Sequence, residues 1–497
     1  MLRLPTDTST PGEVRLPFVP VSATADRTAE APAPHAATRR WSPVELVPPA
    51  VLVLLCAVLL APGHGLWFDE AFSAEVARRP LADILRAITT GEGVTSYLAD
   101  VPPSYNAPYY LVAHLWVSLP GLGGDTSLRV LSVLATAGGL ALVTRAVTRL
   151  AGRASGVLAG LVPATAPLLL EQAAEARSYG LAVLATGGAL LGLARWLQDG
   201  RGLLLLGLAG AAMGLMHWYA VTVLAAFVVA ALLLRGRAAV RVAVVGALAA
   251  LPVGGLIGVN LLNGTGARNA EHLRDTGGTL ADLAVEAWAG GRTPLLYLTV
   301  GLAVVGALRG AGMRVVGVCW VLVPLLLLLA AETVRPVYLP RYLLAGLLGL
   351  GVLAAAGVTA LPRGARTPVA AALVGLSLVA SAPLAVREPR ERSDDVVALL
   401  LEEQRPGEPV VAADQRAAMG LDHFVRTEGP RLRPDVVLPP DDAPADADRV
   451  WLVRRLVDGE PVPTDDDAVL EGAGLSLTRT WDLPAVKTDL VVQLWTR

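Results

Sequence analysis

The sequence of 497 residues has very little cysteine and lysine. Its two cysteines, Cys56 and Cys319, lie inside apolar segments, so we expect neither a disulfide framework nor a thiolate metal site. His-x-x-x-His spacing, paired cysteines and a Ser-His-Asp order are also missing, and with them the usual zinc-enzyme and serine-hydrolase patterns. Lys487 is the only lysine and all other basic side chains apart from histidine are arginine, which reads as a trait of composition.

Three further patterns are absent. No glycine-rich phosphate loop is present, so no nucleotide is assigned. The arginines form no patch interleaved with aromatic residues, so nucleic-acid binding has no support. No internal repeat indicates a transporter built from inverted halves.

Apolar residues, by contrast, make up 54% of the chain, and the mean hydropathy is +0.55. These values are typical of a polytopic α-helical membrane protein. Spans of roughly 20 residues are needed to cross a bilayer. The apolar runs predict about eleven transmembrane helices, at 47–62, 127–148, 155–171, 178–198, 203–219, 220–234, 241–262, 295–308, 315–331, 341–361 and 368–386.

Arginines mark every second connection between these spans, as expected of cytoplasmic loops. This pattern places the N-terminus inside and the C-terminus outside the cytoplasmic membrane of a bacterium. Residues 1–44 are rich in Pro, Thr, Ala and Arg and predict a disordered cytoplasmic tail. Residues 45–386 then form the membrane domain, with long outer loops at 63–126 and 263–294.

Short helices are predicted in these loops. Ala71–Ile88 has the pattern of one interfacial helix, Pro108–Leu119 is too short to span, and Thr279–Trp288 is amphipathic. Charge and proline rise over 387–497, which predicts a small α/β extracytoplasmic domain. In that domain Ser393 should cap a helix over Asp394–Gln404. Strands are expected at Pro409–Ala413, Val450–Leu456 and Asp489–Trp495.

Two adjacent carboxylates, Asp69 and Glu70, directly follow the first span. Acidic residues near a bilayer are costly and usually serve chemistry or transport. One carboxylate could accept a proton from a bound hydroxyl while the other fixes the base, holds a cation or binds the acceptor. The alternative is a helix start, where carboxylates are favourable at the positive end of the dipole.

A second charged cluster, Glu171–Tyr179, connects the third and fourth spans on the same predicted side. Arg177 offers a planar fork for phosphate oxygens, and Tyr179 could donate to the same group. Glu175 could orient Arg177 or contact a sugar hydroxyl. The alternative is a loop whose charges satisfy each other.

Further cations and aromatic residues lie at the predicted outer ends of other spans. His217, Trp218 and Tyr219 follow one span, and Arg341-Tyr342 opens another. An aromatic belt and a snorkelling arginine are the alternatives. His272, between Arg268 and Arg274, could cover a phosphate or could belong to a solvated loop.

The order of these motifs resembles the GT-C glycosyltransferases, and most closely the dolichyl-phosphate-mannose protein mannosyltransferases with their bacterial relatives. The resemblance covers roughly residues 45–390. It rests on six short motifs, namely Trp67–Glu70, Asn106–Tyr110, Ser127–Arg129, Glu175–Tyr179, His217–Tyr219 and Pro340–Tyr342.

The resemblance implies inverting transfer of a sugar, mannose or another pentose or hexose, from a polyprenyl-phosphate carrier to an acceptor hydroxyl of a glycan, lipid or protein. Asp69 would be the base, with Glu70 beside it. Phosphate binding falls to Arg177, Tyr179, His217, Tyr219, Arg341 and Tyr342, and substrate binding to Glu175, Tyr109 and His272. No cofactor is required, because arginine can supply the positive charge, and a divalent metal is not expected.

Two other classes compete with this interpretation. A transporter or flippase of a lipid-linked substrate would also place charges beside helix ends. A structural envelope protein whose C-terminal domain does the work would leave the acidic and Arg-Tyr clusters unexplained.

Overall fold

The computed structural model describes residues 41–98, 107–262, 288–310, 312–333, 340–441, 443–444, 446–457 and 459–497. From Ser42 onward they belong to one compact unit. The predicted tail lies almost wholly outside the described residues, as do His272 and all of the predicted helix Thr279–Trp288 except Trp288.

Helices dominate the described part of the chain up to residue 386. In chain order they are α1 Val47–Leu60, α2 Phe68–Arg78, α3 Leu81–Thr90, α4 Ala107–Val117, α5 Asp125–Ala151, α6 Arg153–Ala164, α7 Pro167–Ala173, α8 Tyr179–Asp199, α9 Leu203–Met216, α10 Val221–Arg235, α11 Val240–Leu262, α12 Thr293–Arg309, α13 Arg314–Glu332, α14 Leu344–Ala360 and α15 Arg363–Ser381.

Each of the eleven predicted apolar segments is helical. Among the described residues, seven helical stretches are long and apolar enough to cross a membrane, and the bent pair α6–α7 makes up to eight. The pair bends by 70° where Pro167 begins a new helix. α9 and α12 are shorter apolar helices, and α10 and α11 fall within one 45-residue stretch. The polytopic α-helical fold is confirmed, and the number of eleven spans stays a prediction.

Contacts among the described helices distinguish two ends of the helical part. At one end Arg149 pairs with Asp199, and Arg235 donates to the carbonyl of Leu197. At the other end, here called the site end, the first turn of α2 meets the α7–α8 connection, where the amide of Ala176 donates to Glu70. The motifs that carry the family resemblance and lie among the described residues collect at the site end.

Glycine allows α5 and α8 to pack closely. A Cβ on Gly139 would lie 2.6 Å from the backbone of Val183, and one on Gly187 would lie 2.4 Å from the Gly139 carbonyl. Small residues permit such contacts between membrane helices. The tight pair fixes the start of α8, and with it the positions of Arg177 and Tyr179.

The first loop differs from its prediction in one respect. The single helix predicted over Ala71–Ile88 is wrong, because the chain forms α2 and α3 with a break at Pro80. Proline lacks the N–H that a continuous helix needs. α4, at Ala107–Val117, is short as predicted and packs against α2 through Tyr110, whose ring contacts Phe72 edge-on.

The small C-terminal α/β domain is confirmed. Its helices are α16 Ser393–Glu403, α17 Gln415–Thr427 and α18 Asp466–Gly472. Its strands are β1 Val410–Ala412, β2 Val436–Val437, β3 Arg449–Val457, β4 Glu460–Pro461, β5 Ser476–Leu483 and β6 Leu490–Thr496. The sheet order is β2-β1-β3-β6-β5, with β4 paired to β3. β1 runs parallel to β2 and β3, and the other pairs are antiparallel.

One face of this sheet shares a core with the first loop. Val410, Val453 and Val492 belong to the same buried cluster as Phe72 of α2 and Tyr110 of α4. Alternate strand residues pack on the other face in a separate cluster. The C-terminal domain is therefore joined to α2 and α4 by apolar packing.

The capping role predicted for Ser393 is wrong. Ser393 is the first residue of α16 and its hydroxyl donates to Glu391 at 2.7 Å. The cap that does form is Asp414, whose carboxylate accepts from the amides of Arg416 and Ala417 at the start of α17. Arg416 is therefore held at a fixed helix terminus.

Candidate active site

Asp69, in the first turn of α2, lies between two arginines from distant parts of the chain. Its Oδ2 atom is 3.6 Å from Nη2 of Arg177 and 3.7 Å from Nη2 of Arg341. Arg177 also donates from Nη1 to the Asp69 carbonyl at 3.2 Å. Three of the predicted site residues thus meet at one point, although the Asp69–Arg341 pair joins segments far apart in sequence.

Aromatic side chains line the space beside these charges. The His217 ring lies 5.1 Å from that of Tyr179, 5.8 Å from Tyr219 and 5.2 Å from Tyr342. Tyr219 and Tyr342 stack at 5.0 Å. The start of α8, the end of α9 and the start of α14 therefore contribute to one wall, as the predicted phosphate site requires.

The charge around Asp69 is strongly positive. Burial alone would raise the pKa of the Asp69 carboxyl, but nearby cations outweigh it and hold this pKa below its usual value. Those cations are Arg177, Arg341, Arg416 and Lys487. Asp69 is therefore ionised at neutral pH, and two guanidinium groups face its single carboxylate, so this point of the site suits a further anionic ligand.

Glu70 binds different partners from those that face Asp69. Its carboxylate accepts from Nε of Arg129 at 2.9 Å and Nη2 of Arg129 at 2.6 Å, and from the amide of Ala176 at 2.8 Å. Arg129 also donates to the carbonyls of His64 and Gly65. Glu70 is only 1% exposed. This arrangement favours a positioning role, in which Glu70 locks the first loop onto α5 and the α7–α8 connection.

Replacing Glu70 tests this positioning role. We expect Glu70→Gln to lower the free energy of unfolding by roughly 3 kcal/mol, because the change leaves Arg129 buried without its anion. Thermal unfolding of the purified protein in detergent would measure the loss. Glu92→Gln, at an exposed position, serves as the matched control. If Glu70→Gln had the melting temperature of the wild type yet lost all activity, Glu70 would instead be catalytic.

Glu175 does not orient Arg177 through its side chain. Its Oε1 lies 2.5 Å from Nη2 of Arg390, which also lies 2.6 Å from Oε1 of Glu171. Burial, with Glu171 nearby, raises the pKa of Glu175 to about 7 although Arg390 opposes the shift. The Glu175 carboxylate borders a cavity of about 110 Å³ that Trp67 and Arg390 also line. The sugar contact predicted for Glu175 stays a prediction.

Of the two remaining predicted residues, the structure describes only Tyr109. Tyr109 is 1% exposed, packs on Tyr110, and lies close enough to Arg177 and Glu70 for their charges to act on its phenol. His272 lies outside the described residues. Within the described ranges no three His, Cys, Asp or Glu side chains are placed to share a metal ion. The expectation that no metal is required stays a prediction.

Four basic residues at the site were not singled out by sequence reasoning. Arg129 appeared only as part of a motif, and Arg390, Arg416 and Lys487 were not considered as site residues. Arg390 lies 4.8 Å from the Trp67 ring centre, and Arg416 lies 4.7 Å from that of Phe68. The one available signal was the single lysine in a chain that otherwise uses arginine.

No family model matches the sequence, and no curated protein matches it either. Solved structures do match. ArnT from Cupriavidus metallidurans bound to undecaprenyl phosphate aligns with a TM-score of 0.55 at 14% identity, over 90% of this chain and 97% of ArnT. The mycobacterial arabinofuranosyltransferase AftD aligns with a TM-score of 0.52 at 17% identity, over 92% of this chain but only 40% of AftD.

These likenesses show the fold of the chain. The shared fold extends over both the helical part and the C-terminal domain. The chain is a multi-pass membrane protein of this architecture.

Proposed function

We propose that this protein transfers a sugar from a polyprenyl-phosphate carrier to an acceptor hydroxyl, with inversion at the anomeric carbon. The observation that carries the proposal is the position of Asp69 between Arg177 and Arg341 on this fold. The undecaprenyl phosphate bound in the similar structure of ArnT supports a carrier of the same class.

Asp69 is the proposed base. Its lowered pKa makes it a weak base while the two arginines face it alone. An anionic donor that binds between Arg177 and Arg341 would offset their charge, and the pKa of Asp69 would then rise. Donor binding thus prepares the carboxylate to take the proton of the attacking acceptor hydroxyl.

The two arginines stabilise the leaving phosphate. As the bond from the anomeric carbon to oxygen breaks, negative charge grows on the polyprenyl phosphate, and preorganised cations lower the energy of that state. The Nη2 atoms of both arginines lie beyond hydrogen-bond length from the Asp69 carboxylate, although Arg177 also donates to the Asp69 carbonyl. The Nε atom of Arg341 is buried and makes no hydrogen bond to any residue that the structure describes. Arg341 therefore retains a donor for a phosphate oxygen, and the tyrosines beside His217 complete the wall.

The reaction is proposed to occur on the outer face of the cytoplasmic membrane. The positions of two arginines support this orientation. Arg149 and Arg235 lie at the end of the helices opposite Asp69, and cytoplasmic loops carry an excess of arginine. The sugar is mannose or another pentose or hexose, and the acceptor is a glycan, lipid or protein.

Slow donor hydrolysis tests the proposed function without knowledge of the acceptor. The purified full-length protein is incubated with a panel of polyprenyl-phosphate sugars, and release of free sugar is followed. At least one donor should be hydrolysed, and Asp69→Asn should remove that activity. Tight donor binding without any hydrolysis, together with donor movement across vesicle membranes, would indicate a flippase instead.

A further inference from the structure

The C-terminal domain presents two cations to the start of α2. Arg416 lies 4.7 Å from the ring centre of Phe68, and the Lys487 ammonium lies 5.4 Å from that of Trp67. Trp67 and Phe68 directly precede Asp69. Both cations therefore lie against the two residues that lead into the proposed base.

Lys487 is held by its backbone rather than by its side chain. It lies in the loop between β5 and β6, where the amides of Val486 and Lys487 donate to the carbonyls of Pro389 and Arg390 at 3.0 and 3.1 Å. Arg416 reaches the same loop, with Nη1 3.4 Å from the hydroxyl of Thr488. The loop position is thus fixed on two sides.

The Lys487 side chain, by contrast, has no carboxylate partner among the residues that the structure describes. The acids near it face arginines: Glu171 pairs with Arg387 and Arg390, Glu175 pairs with Arg390, and Asp69 lies between Arg177 and Arg341. Desolvation, together with the charges of Arg390 and Arg341, lowers the pKa of Lys487. Arg390 and Arg341 repel the ammonium, and an anion bound among these cations would relieve that repulsion.

We propose that Lys487 is a direct ligand of the carrier phosphate, so that the C-terminal domain completes the phosphate site made by Arg177 and Arg341. This inference rests on the proposed function. A sugar-linked phosphodiester carries one negative charge, whereas the released polyprenyl phosphate carries up to two. A third cation matches the charge gained on release better than two arginines that already share Asp69.

The single lysine makes the test selective. In the full-length purified protein an amine-acylating reagent reacts only at Lys487, which is exposed, and at the N-terminal amine. Peptide mass spectrometry follows both rates with undecaprenyl phosphate, with uncharged undecaprenol, or without lipid. Undecaprenyl phosphate alone should slow acylation of Lys487 severalfold, and the N-terminal amine serves as the internal control.

Binding measurements separate contact from simple shielding. Lys487→Ala should weaken binding of undecaprenyl phosphate by about tenfold, the lower end for a charge-assisted bond, and Lys487→Arg should restore most of it. The inference would be overturned if Lys487→Ala bound undecaprenyl phosphate as tightly as the wild type, or if undecaprenol protected Lys487 as well as undecaprenyl phosphate does. Binding of undecaprenyl phosphate by the wild type would in that case leave the proposed function standing. A wild-type protein that does not bind undecaprenyl phosphate would overturn both.

Discussion

Asp69→Asn is expected to reduce sugar transfer by about 10²–10⁴, the usual contribution of a general base. The amide keeps the shape of the side chain but cannot take the acceptor proton. Binding of undecaprenyl phosphate should be retained or become tighter, because Arg177 and Arg341 lose the carboxylate that competes with the phosphate. Initial rates and lipid affinity, measured on the same preparation, give both values.

Asp83→Asn supplies the matched control for that change. Asp83 lies in α3 with its side chain 44% exposed and pairs with Arg86 in the next turn. It should leave rate and affinity unchanged. Near-normal turnover of Asp69→Asn would remove Asp69 from the base role, and loss of lipid binding in that variant would indicate a purely structural carboxylate.

Arg177→Ala is expected to weaken donor binding by about 10–100-fold, the range for a hydrogen bond to a charged group. The loss in kcat/KM should be larger, because the guanidinium faces the charge that grows on the leaving phosphate. Arg177→Lys should recover only part of both, since an ammonium cannot reproduce the planar fork. Donor titrations and steady-state rates of the two variants make the comparison.

Arg201→Ala tests whether loss of any arginine has this effect, because Arg201 is exposed in the turn between α8 and α9. It should match the wild type. If Arg177→Lys retained full affinity and rate, Arg177 would serve only the α7–α8 connection.

The apolar segments predicted the helices because their composition admits little else in a membrane. Their interruptions were harder to predict. Pro80 splits the first-loop helix and Pro167 begins a new helix after a bend, and a pattern of apolar residues alone does not reveal where a chain turns. In the C-terminal domain β1, β3 and β6 were predicted. β2 and β4 were missed because they have two residues each, and β5 because its side chains are mostly exposed.

The candidate site likewise has a part that the sequence predicted and a part that it did not. Asp69, Arg177 and Arg341 were found because charged residues at span ends stand out in a sequence. The partners of these charged residues could not be predicted. Asp69 and Glu70 are adjacent in sequence, but the turn of α2 directs Glu70, and not Asp69, toward Arg129. Arg390 was missed because nothing local marks a cation whose partners lie in another part of the chain, and Lys487 was missed although it is the only lysine.

The tie between the first loop and the C-terminal domain bears on how this protein is made. Gly65 donates to Asp394, 329 residues later, and any Cβ at position 65 would collide with that carboxylate. Phe68 likewise donates to Glu391. The first loop is synthesised early but acquires these partners only after the intervening helices have been made. In a chain whose C-terminal domain misfolds, the start of α2 lacks these two contacts, so we expect assembly of the proposed active site to be one of the last steps of folding.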